Sequence, residues 1–184
     1  MYTQVSINKP FGGAGAAMPK DPTIIIVKAS DIESEPTREV GSPNLVGNLT
    51  LKNGAKAVGV YATPTTISVT EPVSGDPDGR GITQGIEYEH PGNSAAIRGH
   101  KEAYLNEGVV ILQKDCDGSG SGSYNYIGSK CNPLFLTSEL TDNNTARKNK
   151  FTWAQGQPSP FCVGIYSGQI PVLADESDPN NDTV

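Results

Sequence analysis

Glycine and proline interrupt this chain so often that few stretches remain in which a long helix can form. The 184 residues include 21 glycines and 14 prolines. Glycine inside a helix costs about 1 kcal/mol relative to alanine, and proline removes a backbone donor and clashes with the preceding turn. Short β-branched and aromatic runs separate these interruptions, which is typical of a turn-rich β protein. A chain of this length is expected to form one domain with a substantial hydrophobic core.

Several apolar runs predict strands. "TIIIVKA" (residues 23–29) and "VVILQKDCD" (109–117) are predicted to be buried strands. "NLTLKNGAKAVGVYA" predicts a hairpin, because Asn53-Gly54 favours a two-residue turn. "SYNYIG" is the predicted hairpin partner of residues 109–117 across a "GSGSGS" turn. Further strands are expected in "NPLFLTSEL", "NKFTWAQ" and "FCVGIYSGQIP", which makes about nine strands in all.

One stretch has the periodicity of a helix. In "NSAAIRGHKEAYLNEG" the spacings of three and four connect Ala96, Ile97, His100, Ala103, Tyr104 and Glu107. Asn93 or Ser94 can cap the start, and Gly108 can end the helix in a left-handed conformation. A helix is therefore predicted over residues 94–107.

These elements together predict a mainly β fold, either a β-sandwich or a small barrel with one packed α-helix. The single domain is expected to span residues 23–173 and to contain a long hairpin over residues 65–90. Residues 1–22 are rich in glycine, alanine and proline and predict an extended N-terminal arm without a core of its own. Residues 174–184 predict a flexible, polar tail that holds four of the twenty acidic residues.

Charge and cysteine content exclude several classes of protein. The net charge is −6 and the fourteen lysines and arginines are scattered, which argues against a nucleic-acid-binding face. Cys116, Cys131 and Cys162 lack the spacing of a zinc site or a disulfide framework, so reduced packing cysteines are expected. No apolar run approaches the roughly 18 residues of a membrane span, and no signal-peptide core is present. We therefore expect synthesis in a cytoplasm and no membrane partner.

The residues that could carry chemistry lack their usual partners. His90 and His100 are the two histidines, and neither has a serine or cysteine at the spacing of a known triad. Asp76 and Asp78 begin like a calcium-binding loop, but the later ligands are missing. We expect no catalytic residues, no metal site and no cofactor, and we expect this aspartate pair to start a turn. A carboxylate pair for glycoside hydrolysis stays open, since it depends on a separation in space.

The stretch "SVTEPVSGDPDGRGITQGIEYEHPG", residues 68–92, predicts two alternating strands around an acidic turn. Such a long hairpin is suited to pairing with something outside its own domain. It carries five acidic residues against one arginine, which predicts local negative charge. We therefore predict an assembly hairpin, with the site residues Glu71, Asp76, Asp78, Arg80, Glu87 and Glu89.

The order of these elements resembles that of tail-tube subunits of tailed bacteriophages. The stretches "GDPDGRG", "YEHPGNSAAIRGHKEAYLNEGVVILQKDCDG", "YIGSKCNPLFL" and "YSGQIP" are also similar to virion proteins of phages that infect Bacteroidetes-type bacteria. The resemblance covers roughly residues 57–171. It implies a β-sandwich that forms rings, usually of six, in which the sheets of neighbouring subunits join into a continuous inner barrel.

The resemblance implies a virion structural protein, located in the tail after assembly in the bacterial cytoplasm. Its partners would be other copies within and between rings, and other tail or connector proteins, while DNA passes without specific binding. The "GSGSGS" stretch and the polar tail depart from a minimal tube subunit. They keep two alternatives open: a head-tail or baseplate ring protein, and a surface-decorating or host-attachment β module. A hydrolase on a β-sandwich is a third.

Overall fold

The computed structural model describes residues 5–9, 15–116 and 122–175. Within them the chain forms fifteen strands, one α-helix and two single-turn 3-10 helices, which confirms the mainly β fold. More strands are found than the sequence predicts, because several pair over only two or three residues. The strands are β1 (Thr23–Lys28), β2 (Ile32–Ser34), β3 (Thr37–Arg38), β4 (Asn44–Val46), β5 (Thr50–Leu51), β6 (Val58–Tyr61), β7 (Ser68–Thr70), β8 (Val73–Ser74), β9 (Gly81–Ile82), β10 (Gly85–Pro91), β11 (Val109–Lys114), β12 (Tyr124–Ile127), β13 (Leu134–Asp142), β14 (Arg147–Gln155) and β15 (Gly164–Tyr166).

Eleven of the strands form two layers joined at one place. The seven-stranded layer has the order β6-β1-β11-β12-β15-β4-β3, and the four-stranded layer has the order β13-β14-β10-β7. The layers connect where Val109 of β11 pairs with Leu134 of β13. Their facing side chains form the main core, which includes Ile24, Ile26, Ile86, Tyr88, Ile111, Phe151 and Trp153. The fold is therefore a β-sandwich, one of the two architectures that the sequence predicts.

β1 lies inside the seven-stranded layer and is buried on both faces, as predicted. Ile24 and Ile26 face the main core, whereas Ile25 and Val27 face a second core on the other side of the layer. The second core is covered by the segment that contains β2 and β5, and it also includes Tyr166. The continuous apolar run of β1 follows from this position, because each side chain has a core to enter.

The α-helix, α1 (Ala95–Ala103), packs against the main core. Ser94 caps its start, where the hydroxyl accepts a hydrogen bond from the Ile97 N–H at 3.4 Å. The helix ends earlier than predicted, and Gly108 does not adopt the left-handed conformation expected of it. Gly108 is instead required by a close contact, because a Cβ there would lie 2.6 Å from Pro133 Cγ.

The hairpin predicted around Asn53-Gly54 is wrong. Gly54 forms a turn with φ of 81°, but β5 pairs with β2 and β6 pairs with β1. The flanking strands separate because their apolar residues belong to different cores. Val60 of β6 packs in the main core, whereas Leu49, next to β5, packs in the second core.

One later hairpin forms as predicted, and a second one joins two predicted strands whose pairing the sequence does not specify. β11 pairs with β12, and the turn between them includes residues 117–121, which lie outside the described residues. β13 and β14 pair over nine residues each in one register.

The prediction of packing cysteines is wrong. Cys116, Cys131 and Cys162 are free and exposed. Each lies in a connection between strands rather than in a strand, so none enters either core.

The described part of the N-terminal arm, residues 5–9 and 15–19, is exposed and contains no strand or helix. The chain joins the sandwich at Lys20, whose ammonium lies 2.7 Å from the Asp115 carboxylate. At the other end, the Ala174 N–H donates to the Ala57 carbonyl oxygen at 2.7 Å. Residues 1–4 and 10–14 of the arm and residues 176–184 of the tail lie outside the described residues. In the part of the chain that the structure describes, no helix is long and apolar enough to cross a membrane.

His100 lies on the buried side of α1. Its ring packs 4.6 Å from the Tyr104 ring and 5.9 Å from the Phe151 ring, measured between centroids. Its Nε2 is buried and has no hydrogen-bond partner among the described residues. Burial lowers the pKa of His100 from 6.5 to about 4, and the charge of His90 adds to the effect. The folded protein therefore holds this ring neutral at a pH where the unfolded chain protonates it.

We expect this site to make the protein sensitive to acid. As the pH falls through 6.5, the unfolded chain binds a proton that the folded chain does not, so the free energy of unfolding decreases. The loss should reach about 2 kcal/mol by about pH 5. Urea unfolding at about pH 7.5 and pH 5 measures it. The loss should be much smaller in His100→Leu and only slightly smaller in the control His90→Leu, which removes the minor contribution of the His90 charge. An equal loss in wild type and His100→Leu would contradict this explanation.

Candidate assembly surface

The long hairpin forms as predicted. Residues 68–74 pair with residues 81–87 in one continuous antiparallel register, through β7 with β10 and β8 with β9. Between these ladders the Thr83 N–H donates to the Pro72 carbonyl oxygen at 3.0 Å, in the same register.

The acidic tip of this hairpin is a backbone turn. The Gly79 N–H donates to the Asp76 carbonyl oxygen at 3.0 Å, and Asp78 has a φ of 71°. Both aspartates are exposed. Within the described residues, no group of three or more His, Cys, Asp or Glu side chains is placed to hold a metal ion. The aspartate pair serves the turn expected from the sequence.

Gln84 fixes the base of the hairpin to both layers. Its side chain is buried, with Nε2 donating to the carbonyl oxygens of Phe161 and Cys162 at 3.0 and 3.1 Å. Its Oε1 accepts from the Gly128 N–H at 2.8 Å, at the end of β12. The Gln84 N–H donates to Gln155 Oε1 at 3.0 Å, at the end of β14. The hairpin is thus held in place by a satisfied buried amide.

The outer face of the four-stranded layer is polar. Strand alternation places Val69, Tyr88, Trp153 and Leu136 toward the main core. The outer face carries the polar side chains Ser68, Thr70, Glu87, Glu89, Lys148, Lys150, Thr152, Thr137, Glu139 and Thr141, and near one end also the apolar pair Phe135 and Ala154.

Two lysines of β14 compensate the glutamates of the hairpin. Lys150 Nζ lies 3.0 Å from Glu87 Oε2, and Lys148 Nζ lies 2.8 Å from Glu89 Oε1. The hydrogen bond and the charge of Glu87 raise the pKa of Lys150. The predicted local negative charge is thus offset on this face, which carries mixed charge, whereas the exposed tip keeps Asp76 and Asp78 against Arg80. The sequence around the hairpin offers only Arg80 as a counter-charge, because the pairing of β10 with β14 joins residues far apart in the chain.

The structure does not bring the six predicted site residues together. Residues 76–80 form the exposed tip, while Glu87 and Glu89 lie on the polar face. Glu71 points toward the other face, where its carboxylate accepts a hydrogen bond from the Val163 N–H. Glu71 therefore belongs to a different environment from the other glutamates.

The four-stranded layer ends in two free edges. β7 pairs only with β10, and on the outer side of β13 only Leu134 has a partner among the described residues. Residues 68–74 and 135–141 therefore leave backbone groups open toward a further strand. Such edges are available for pairing with another chain. No sequence motif marks them, because an edge is a property of the assembled sheet.

Backbone hydrogen bonds show which residues of β13 face its free side. The Asn143 N–H donates to the Ala146 carbonyl oxygen across the β13–β14 turn. Because N–H and C=O groups alternate sides along a strand, those of Leu136, Ser138 and Leu140 point away from β14.

The same rule applies to the hairpin. The bond from the Thr83 N–H to the Pro72 carbonyl oxygen points inward. The backbone groups of Val69, Glu71 and Val73 therefore point to the free side. Pro72 has no backbone N–H, but this does not interrupt the free edge. The backbone groups of Pro72 point inward, toward Thr83, and the free edge does not use them.

A cleft of about 520 Å³ opens beside β7, where the two layers separate. Its lining residues are Arg38, Pro43, Val69, Glu71, Asn125, Pro160, Cys162, Val163 and Ile165. Arg38 holds one side of it, with a guanidinium nitrogen 2.6 Å from the Cys162 carbonyl oxygen. Ile165 points from β15 toward this space and remains 41% exposed. The apolar interior of the sandwich is therefore incomplete at the β7 edge.

The two histidines have structural surroundings. His90 Nδ1 lies 2.8 Å from the Tyr61 carbonyl oxygen, and the His100 ring packs between α1 and Phe151.

No protein-family model matches this chain, and no curated protein or solved structure is significantly similar to it.

Proposed function

We propose that the protein is a virion structural protein that forms the rings of a phage tail tube, with the four-stranded layer as the inner wall. The observation that carries this proposal is the pair of free edges at opposite ends of a layer with a polar outer face. Because successive strands of the layer are antiparallel, β13 and β7 run in opposite directions. The β13 of one copy can therefore extend the β7 edge of the next as an antiparallel strand. A repeated head-to-tail contact of this kind forms a ring when its rotation divides a full turn.

The size of such a ring suits a DNA conduit. Six copies, the number implied by the tail-tube resemblance, would contribute twenty-four strands to one barrel. With strands about 4.8 Å apart and tilted by about 40°, the backbone wall would be about 50 Å across. That width leaves a bore for a hydrated duplex after the inward side chains are placed.

The chemistry of the polar face supports passage rather than binding. Proteins that hold DNA neutralise its phosphates with lysine and arginine. On this face Lys148 and Lys150 are both paired with glutamates of the hairpin. Threonine and serine hydroxyls make up much of the remaining surface. A duplex would meet a hydrated wall of mixed charge, on which it is not retained.

Removal of one edge hydrogen bond should abolish ring formation. Ser138 is exposed and its N–H points to the free side of β13, so Ser138→Pro removes a donor needed by a neighbour while sparing the β14 ladder. Negative-stain microscopy of concentrated wild-type protein should show rings or short tubes, whereas the variant should remain monomeric.

The control is Ser138→Ala, which keeps the backbone donor and should assemble like wild type. Urea unfolding of both variants checks that the monomer fold is retained. Persistent wild-type monomers at high concentration would contradict the proposal. They would favour a surface-decorating or attachment module, for which binding to capsids or cells without self-assembly is the expected behaviour.

A further inference from the structure

We infer that neighbouring copies join in one register, in which Leu140 of one copy lies directly opposite Val69 of the next and covers the cleft. This inference rests on the proposed function, because it specifies the contact between ring subunits. It follows from four properties of the two free edges: their length, the direction of their backbone groups, the faces of their side chains and their charges.

The two edges have the same length. The hairpin offers residues 68–74, and β13 offers residues 135–141, each a run of seven. Aligned antiparallel and end to end, residue 68 meets residue 141 and residue 74 meets residue 135. Val69 then lies opposite Leu140, Glu71 opposite Ser138, and Val73 opposite Leu136.

The backbone groups match in this alignment. Val69, Glu71 and Val73 direct their N–H and C=O groups to the free side, and so do the three residues that they meet. Directly opposed residues of this kind exchange two hydrogen bonds in an antiparallel ladder. A slip of one residue would set outward groups against inward ones and would turn the side chains to the wrong face. Only slips of two or four residues remain as alternatives.

Apolar side chains meet on the core side. Val69 lines the cleft, and Leu140 lies on the same face of its own strand as Trp153 yet is 44% exposed. Opposed residues share a face of the sheet, so the junction brings Leu140 over the cleft. It also sets Leu136 beside Val73, which is 62% exposed in the single chain. Both exposed side chains are thereby covered.

The position of Glu71 disfavours the slipped registers. In the inferred register Glu71 meets Ser138, a polar partner. A slip of two residues in either direction sets this carboxylate against Leu136 or Leu140 on the core side, where the apolar side chain offers it no hydrogen-bond donor besides the Val163 N–H. A slip of four residues sets it against Asp142 in one direction, or against Leu134, whose outer side is already occupied by β11, in the other.

Disulfide trapping tests the register. In a background with all three native cysteines changed to serine, Val69→Cys with Leu140→Cys forms the in-register pair. Val69→Cys with Ser138→Cys is the matched control, displaced by two residues. Directly opposed Cα atoms lie about 5.5 Å apart and can form a disulfide, whereas the displaced pair lies about 9 Å apart and cannot. Val73→Cys with Leu136→Cys provides a second in-register pair, should the first variant fail to fold.

On a non-reducing gel, the in-register pairs should give covalent multimers at least tenfold more abundant than the control pair. Mixing the Val69→Cys and Leu140→Cys single variants should give a dimer that contains one of each, which supports a contact between copies. Equal or stronger linkage of the control pair would overturn the register. Rings seen under reducing conditions without linkage of either in-register pair would overturn it while leaving the tube proposal in place. Absence of rings from every reduced variant and from wild type would overturn both.

Discussion

Replacing Trp153 by alanine is expected to lower the free energy of unfolding by about 4 kcal/mol, the range for removal of a large buried aromatic side chain. Trp153 is fully buried in the main core between the two layers. Its indole N–H donates to the Tyr88 hydroxyl at 3.2 Å, and the Tyr104 ring packs edge-on at 6.0 Å. The substitution therefore removes contacts to β10 and to Tyr104 at the end of α1, and it leaves the buried Tyr88 hydroxyl without its donor.

Urea unfolding compares this variant with Phe135→Ala on the neighbouring strand. Phe135 lies opposite Ala154 and is 46% exposed, so its truncation should cost less than about 1 kcal/mol in the monomer. Domains of this size are stable by about 5–15 kcal/mol, so the Trp153 variant should unfold at a much lower urea concentration. Equal losses for the two variants would mean that the main core is not centred on Trp153.

The sequence predicts those elements whose pattern of apolar residues is contained in one short stretch of the chain. The run Ile24–Val27 has no polar position, which requires cores on both faces, and β1 has them. The spacing of Ile97, His100 and Tyr104 marks the buried side of α1. In these cases one short stretch contains the whole signal.

Pairings between strands that are distant in the sequence cannot be predicted from such local patterns. Asn53-Gly54 forms a turn, but the strands on either side of it do not pair with each other. β6 pairs with β1 and β5 pairs with β2, and the turn residues contain no information about these partners. Glu87 and Glu89 looked unopposed because their lysine partners lie about sixty residues later in the chain. The hairpin itself was predicted, while the second free edge, on β13, emerged only from the order of the strands.

Replacing Gln84 by methionine is expected to lower the free energy of unfolding by about 3 kcal/mol, because buried polar groups would lose their partners. The substitution keeps the length of the side chain but removes both hydrogen-bonding ends of the amide. The carbonyl oxygens of Phe161 and Cys162 and the N–H of Gly128 would then be left without this partner. Each such group costs about 1–3 kcal/mol, with partial relief where water reaches it.

The same change should weaken ring formation more than the stability loss alone explains. Gln84 is the residue that fixes the hairpin base between the layers, so its loss would free the β7 edge to move relative to β13 of the same copy. A ring needs both edges at fixed positions, since the head-to-tail contact must repeat with one rotation to close. Gln157→Met is the matched control, because it makes the same chemical change at an exposed position close in space to the same layer. Urea unfolding and negative-stain microscopy should separate the two variants, with intact rings and near wild-type stability for Gln157→Met. A Gln84→Met protein that assembles as well as this control would show that the hairpin base is held by the strand ladders alone.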